Sequence, residues 1–164
     1  MDNRAKKRKR IYTIVFIVYL CLLIYFLFFS DMLGRKETYD DYRYNIEPFK
    51  EIKRFWNSAL DKNYTLFIVN IIGNMLLFIP FGYLFTVVME DRRVRPGMSF
   101  VDTFLAALLT ILLVETCQLI TKVGVFDIDD IILNTIGAVV GYMIYILVRH
   151  RINLRKAAKQ RKKA

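Results

Sequence analysis

Four apolar runs, each long enough to cross a bilayer, constrain this chain more than anything else in it. The first extends from Ile11 to Phe29 without a charge and follows a segment holding six basic residues, Arg4 to Arg10. At about 1.5 Å per residue, a helix of that length matches the hydrocarbon thickness of a membrane. The run is long for the core of a signal peptide, and FFSDMLGRK offers no small-x-small cleavage site, so an uncleaved first span is expected. Further spans are expected at about 66–88, 100–120 and 128–148. The fold class that follows is an all-α integral membrane protein of four transmembrane helices.

Charge then orients the bundle. The N-terminal segment at 1–10, the loop with Arg92, Arg93 and Arg95, and the tail at 149–164 are basic. The segment between the first two spans balances seven basic residues against seven acidic ones. The positive-inside rule therefore expects both termini in the cytoplasm and a multi-pass topology in a plasma membrane. A formal charge of +10 would suggest nucleic acid in a soluble protein. Here the basic residues flank spans, so they mark the cytoplasmic side and touch anionic lipid, and no nucleic-acid partner is expected.

The segment EPFKEIKRFWNSAL, at about 48–61, sets Phe49, Ile52, Phe55, Trp56, Ala59 and Leu60 on one helical face and charged or polar residues opposite. It predicts an extracellular amphipathic helix lying at the interface, with Pro48 in its first turn and Trp56 at headgroup level. Tyr39, Tyr42 and Tyr44 fit the same interfacial belt.

The polar residues inside the spans converge by topology. Asn70 and Asn74, Glu115 and Gln118, and Asp127, Asp130 and Asn134 reach the same outer third by three routes. Asn70 and Asn74 share a side at i,i+4 spacing. Asp127, Asp130, Asn134, Gly137 and Gly141 form one stripe, with Asp129 pointing elsewhere. The Gly137/Gly141 pair predicts close helix packing. Asn70 and Gln118 read as interhelical glue, and Asp127 more as a helix cap than as a ligand. Glu115 lies inside a span near a helix C-terminus, where the helix dipole disfavours it, which makes it a functional candidate. With Asp130 it forms a candidate acid–base pair, and Lys122 is its nearest cation by sequence. Cys21 and Cys117 give neither a zinc spacing nor a disulfide framework and read as small core residues. No cofactor is expected.

The pieces IEPF, NIIGNMLLFIPFGYL and ETCQ…GVFDIDDIILNTIGAVVG occur in an order that resembles the VanZ family of bacterial membrane proteins. The resemblance places the motif at Asn45, Pro48, Phe49, Asn70, Asn74, Pro80, Phe81, Gly82, Glu115, Gln118, Asp127, Asp130, Asn134 and Gly137. It implies a link to low-level resistance against the lipid-tailed glycopeptide teicoplanin. Many members carry an arginine in the turn before Asp127, where this chain has Lys122.

Three functions fit these features. The first is a non-enzymatic envelope protein whose outer-leaflet polar pocket holds an amphiphile, such as a lipoglycopeptide or a lipid-linked wall precursor. The second is an intramembrane enzyme acting on a polyprenyl or lipid phosphate, with Glu115 and Asp130 as acid and base, or with Asp127 and Asp130 holding a metal. The third is an adaptor docking through the Gly137/Gly141 face. A transporter is disfavoured, because the inner halves of the spans are too apolar for a pathway.

Overall fold

The computed structural model describes residues 3–29, 40–62, 64–89 and 96–162. Arg92, Arg93, Arg95 and Tyr39 lie outside the described residues. The helices are α1 (Asn3–Phe29), α2 (Lys50–Leu60), α3 (Tyr64–Phe67), α4 (Gly73–Met89), α5 (Pro96–Thr121) and α6 (Ile128–Arg161). A π-helical segment, Ile68–Ile72, joins α3 to α4, and two short strands, β1 (Tyr44–Asn45) and β2 (Phe126–Asp127), pair in parallel.

Four stretches are long and apolar enough to cross a membrane: Lys6–Phe29, Tyr64–Met89, Ser99–Thr121 and Ile128–Arg161. Their surfaces agree with that role. Ile14, Ile17, Val18, Leu109, Leu113 and Met143 are among many large apolar side chains left exposed. Water would penalise such a surface, whereas lipid solvates it. The chain is an all-α membrane protein.

The core is narrow. Leu23 and Leu27 of α1, Phe78 and Phe81 of α4, Ala107 and Ile111 of α5, and Ala138 of α6 form one buried cluster. Phe16 of α1 meets Phe81 edge-on at 5.6 Å between ring centroids. Thr86 and Thr103 join α4 to α5 hydroxyl to hydroxyl at 2.9 Å.

The tightest seam lies between α4 and α6, where backbone touches backbone. A Cβ on Gly137 would stand 2.2 Å from the Met75 carbonyl oxygen, and one on Gly141 2.0 Å from that of Ile79. Gly82 faces the Ala138 carbonyl in the same way, at 1.9 Å. Small residues are needed wherever two spans approach this closely, since lipid gives apolar side chains no reason of their own to associate.

Several expectations change. The second span begins at Tyr64, and its π-helical turn widens the local repeat beyond 3.6 residues. Pro80 lies within α4, which continues through it. Nearby, Tyr19 of α1 donates its hydroxyl to the Leu77 carbonyl at 2.6 Å. The basic tail is helical as far as Arg161, because its Ala, Lys, Arg and Gln residues are strong helix formers. Cys21 and Cys117 are exposed rather than in the core, since each lies on a helix face turned out of the bundle.

A paired substitution tests the seam. Gly141→Ala should destabilise the protein by about 1–3 kcal/mol or more, because the clashing atom is backbone. Gly73→Ala, whose Cβ would meet its nearest oxygen at 3.6 Å, should be neutral or mildly stabilising in the same denaturation assay.

Candidate functional site

The polar residues gather at one end of the bundle, beneath the strap formed by β1 and α2. The strap begins where the Phe126 N–H donates to the Arg43 carbonyl at 3.0 Å, in register with the β1–β2 pairing. Asn45 Nδ2 donates to Asp127 Oδ1 at 3.0 Å. The same oxygen accepts the Asp129 N–H at 2.8 Å, which makes Asp127 the N-cap of α6, as its position just before an apolar run predicts.

Asp129 supplies the strongest tie. The sequence sets it apart from the Asp127–Asn134 stripe, and its carboxylate does leave that face. It turns instead to the start of α2 and accepts three backbone N–H groups: Phe49 at 2.5 Å, Glu51 at 2.8 Å and Ile52 at 3.1 Å. Only 1% of its surface is exposed. The N-cap of α2 is Phe49, whose side chain offers no acceptor and whose φ of 66° places it in the left-handed region. The cap therefore comes from a residue eighty positions away. A carboxylate among the first N–H groups of a helix has hydrogen bonds and the helix dipole in its favour. Pro48 precedes the N-cap, so it shapes the entry to α2 and is not in its first turn. A helix starting EPFK, with no Ser, Thr, Asp or Asn at its cap, was the signal in the sequence that an acceptor had to come from elsewhere.

Once docked, α2 lays Phe55 against Ile71 and Leu133 in a small second core. Trp56 stays exposed and touches Phe67 edge-on at 5.8 Å.

Glu115 is buried, 3% exposed, and one carboxylate oxygen accepts the Asp127 N–H at 3.1 Å. It thereby fixes the turn between α5 and α6. Asn74 Nδ2 donates to Asp130 Oδ1 at 2.5 Å, joining α4 to α6. Gln118 joins α5 to α1 by donating Nε2 to the Leu27 carbonyl at 3.0 Å. Its Oε1, like Asn134 Oδ1 and Thr135 Oγ1, is buried without a hydrogen-bond partner among the described residues. Such an atom carries a desolvation cost until something donates to it.

Two predicted site residues go elsewhere. Asn70 returns its amide to the Leu66 carbonyl of its own helix at 2.9 Å. Lys122, in a left-handed turn with φ of 57°, donates Nζ to the Asp40 carbonyl at 2.6 Å and lies 4.9 Å above the Tyr42 ring. Among the described residues no three His, Cys, Asp or Glu side chains are grouped to hold a metal ion. Asp127, proposed with Asp130 as a metal ligand, caps α6 through Oδ1.

Burial, the largest influence, pushes the Asp127 carboxyl above the usual carboxylate range, and the Asp129 carboxylate adds to this. The N–H groups of Asp129 and Asn45 and the charge of Arg54 act in the opposite direction.

Beside this end, an apolar groove of about 480 Å³ runs between α1, α4 and α5. Phe28 and Cys117 line it, and each is the chain neighbour of a member of the Leu27–Gln118 hydrogen bond. From there the groove descends past Leu113, Thr110 and Ala106.

The VanZ/LLP1 family model matches residues 16–149, most of the chain, taking in the second and third spans whole and leaving out residues 6–15 of the first and 150–161 of the last. The chain belongs to the VanZ family. It is 35% identical over 85 residues to Protein VanZ of Enterococcus faecium, which covers 52% of this chain and 49% of that protein. The match thus spans about half the length of that curated relative. No solved structure matches. The VanZ motif residues are largely partners of one another: Asn45 with Asp127, Asn74 with Asp130, Glu115 with the Asp127 backbone, and Gly82 and Gly137 at the α4–α6 seam.

Two aspartates separate capping from clamping. Asp129→Asn sets an amide against N–H groups and should cost at least about 2 kcal/mol, and it should expose α2 to proteolysis. Asp127→Asn keeps the accepting Oδ1 and should cost under about 1 kcal/mol. Because folding raises the Asp127 pKa, its contribution to stability is full below the unfolded value of 3.8 and is lost as pH rises through the folded one. Thermal melts of Asp127→Asn across the acid range should lack that dependence.

Proposed function

We propose that this VanZ-family protein binds an amphiphile, head group at the polar end and hydrocarbon tail in the adjoining groove, and so alters what is displayed at the cell surface. The observation that carries the reading is the junction at α5. Buried Glu115 accepts the Asp127 N–H and buried Gln118 donates to the Leu27 carbonyl, while Thr110, Leu113, Val114 and Cys117 line the apolar groove. One helix thus presents a wet surface and an oily one at the same level. The buried Gln118 Oε1 and Asn134 Oδ1 supply acceptors for hydroxyl or amide donors on a head group.

Orientation follows from charge. The N-terminal basic cluster and the basic extension of α6 lie at the opposite end, and by the positive-inside rule this supports termini in the cytoplasm and the polar end outside. The strap with Trp56 then lies at the outer interface of a bacterial plasma membrane. The occupants that fit are a lipid-linked wall precursor or a lipoglycopeptide, each with a polar head and a long tail. Lower teicoplanin action would follow from either, which agrees with the family resemblance.

The alternative of an acid–base enzyme gives Glu115 a different task. As a proton donor it would have to be free to change partners, whereas its carboxylate holds the Asp127 N–H that sets the α5–α6 turn. This favours binding over turnover.

Cells expressing Glu115→Gln or Thr110→Phe should lose several-fold more protection from teicoplanin than from vancomycin, which has no lipid tail. The comparison is of growth-inhibitory concentrations at matched membrane protein levels. Equal loss for both drugs would contradict the reading. Turnover of a labelled polyprenyl phosphate by purified protein would replace it with the enzymatic one.

A further inference from the structure

At the other end of the bundle a cavity of about 370 Å³ opens between α1, α4 and α6. Arg8, Arg149 and Lys156 line it, together with Tyr12, Tyr83 and Asn153. No carboxylate is among the described residues lining it. Each helix contributes residues at helical spacing: Arg8 and Tyr12 on α1, Tyr83 and Val87 on α4, and Tyr145, Arg149, Asn153 and Lys156 along one face of α6. Arg149 is held in place, with Nη1 donating to the Tyr145 hydroxyl at 3.0 Å. The guanidinium also lies 5.9 Å from the Tyr145 ring centroid. Tyr12 and Tyr83 line the same cavity from α1 and α4.

Depth selects the ligand. With 34 residues, α6 is about 51 Å long, far more than the hydrocarbon core of a bilayer. Its basic half must therefore emerge, and Arg149 lies where apolar sequence gives way to basic. The same cavity is walled by Val87, Val148 and Ile152, and the last two are exposed. Convergent cations and hydroxyls bind a phosphate-bearing anion, and the apolar wall adds a place for the chain beneath it.

We propose that this cavity is a discrete site for the phosphate headgroup of an anionic phospholipid, with Arg149 and Lys156 as its principal cations and Arg8 closing it from α1. The site is independent of the polar end and of the function proposed for it. Diffuse attraction between a basic tail and an anionic leaflet would spread over every lysine and arginine of the tail. A built site depends on those that line the cavity.

The test uses the full chain in phosphatidylcholine nanodiscs doped with phosphatidylglycerol, with retained lipid counted by native mass spectrometry. Wild type should hold phosphatidylglycerol through activation that strips phosphatidylcholine. Arg149→Gln/Lys156→Gln should weaken retention roughly tenfold or more, because both remove charge-assisted hydrogen bonds that converge on the phosphate. Arg155→Gln/Lys159→Gln removes the same charge from outside the cavity and should leave retention unchanged. Lys156→Gln alone, on an exposed stretch of helix, should lower it several-fold without affecting folding. Equal losses in both double variants would overturn the proposal. So would displacement of the lipid by inorganic phosphate at matched concentration, which would assign the cavity to a soluble anion.

Discussion

The arrangement of the polar end depends on one requirement: a carboxylate buried at the edge of a membrane domain must have donors. Asp129 meets it with three backbone N–H groups at the start of α2. The same contacts cap a helix that has no capping side chain of its own. A carboxylate that would be costly in isolation thus holds the strap onto the bundle. Asp127 and Glu115 extend the pattern, one capping α6 and the other accepting the Asp127 N–H. Hydrogen bonds from backbone amides to carboxylates recur through this network.

Below the network, glycine does the equivalent work for packing. Gly82, Gly137 and Gly141 bring α4 and α6 into backbone contact. That contact fixes the height of Asp130 relative to Asn74, so their 2.5 Å hydrogen bond depends on it. The seam, the polar network and the strap therefore form one mechanical unit. The apolar groove lies to the side of it, against α1, whose apolar side chains are otherwise mostly exposed.

The four spans, the amphipathic helix and the convergence of polar residues were legible in the sequence because each rests on local periodicity or on run length. Asp127 as a cap was legible for the same reason. What was not legible depends on contacts between distant residues. Asp129 looked idle because its partners are backbone groups eighty positions earlier. Asn70 bonds within its own helix, and the π-helical turn it lies in is one that no residue pattern in LFIVNIIGN announces. Lys122 looked like a partner for Glu115 by proximity in the chain, but a left-handed turn sends it toward Asp40 and Tyr42.

The head-and-tail reading of the polar end and its groove is tested most directly by a cryo-electron microscopy structure of the protein in native bacterial lipid. The account predicts elongated density with its tail along Phe28, Cys117 and Thr110 and its head at Gln118 and Asn134. A groove filled only by disordered lipid, with water alone at Gln118 Oε1 and Asn134 Oδ1, would contradict it.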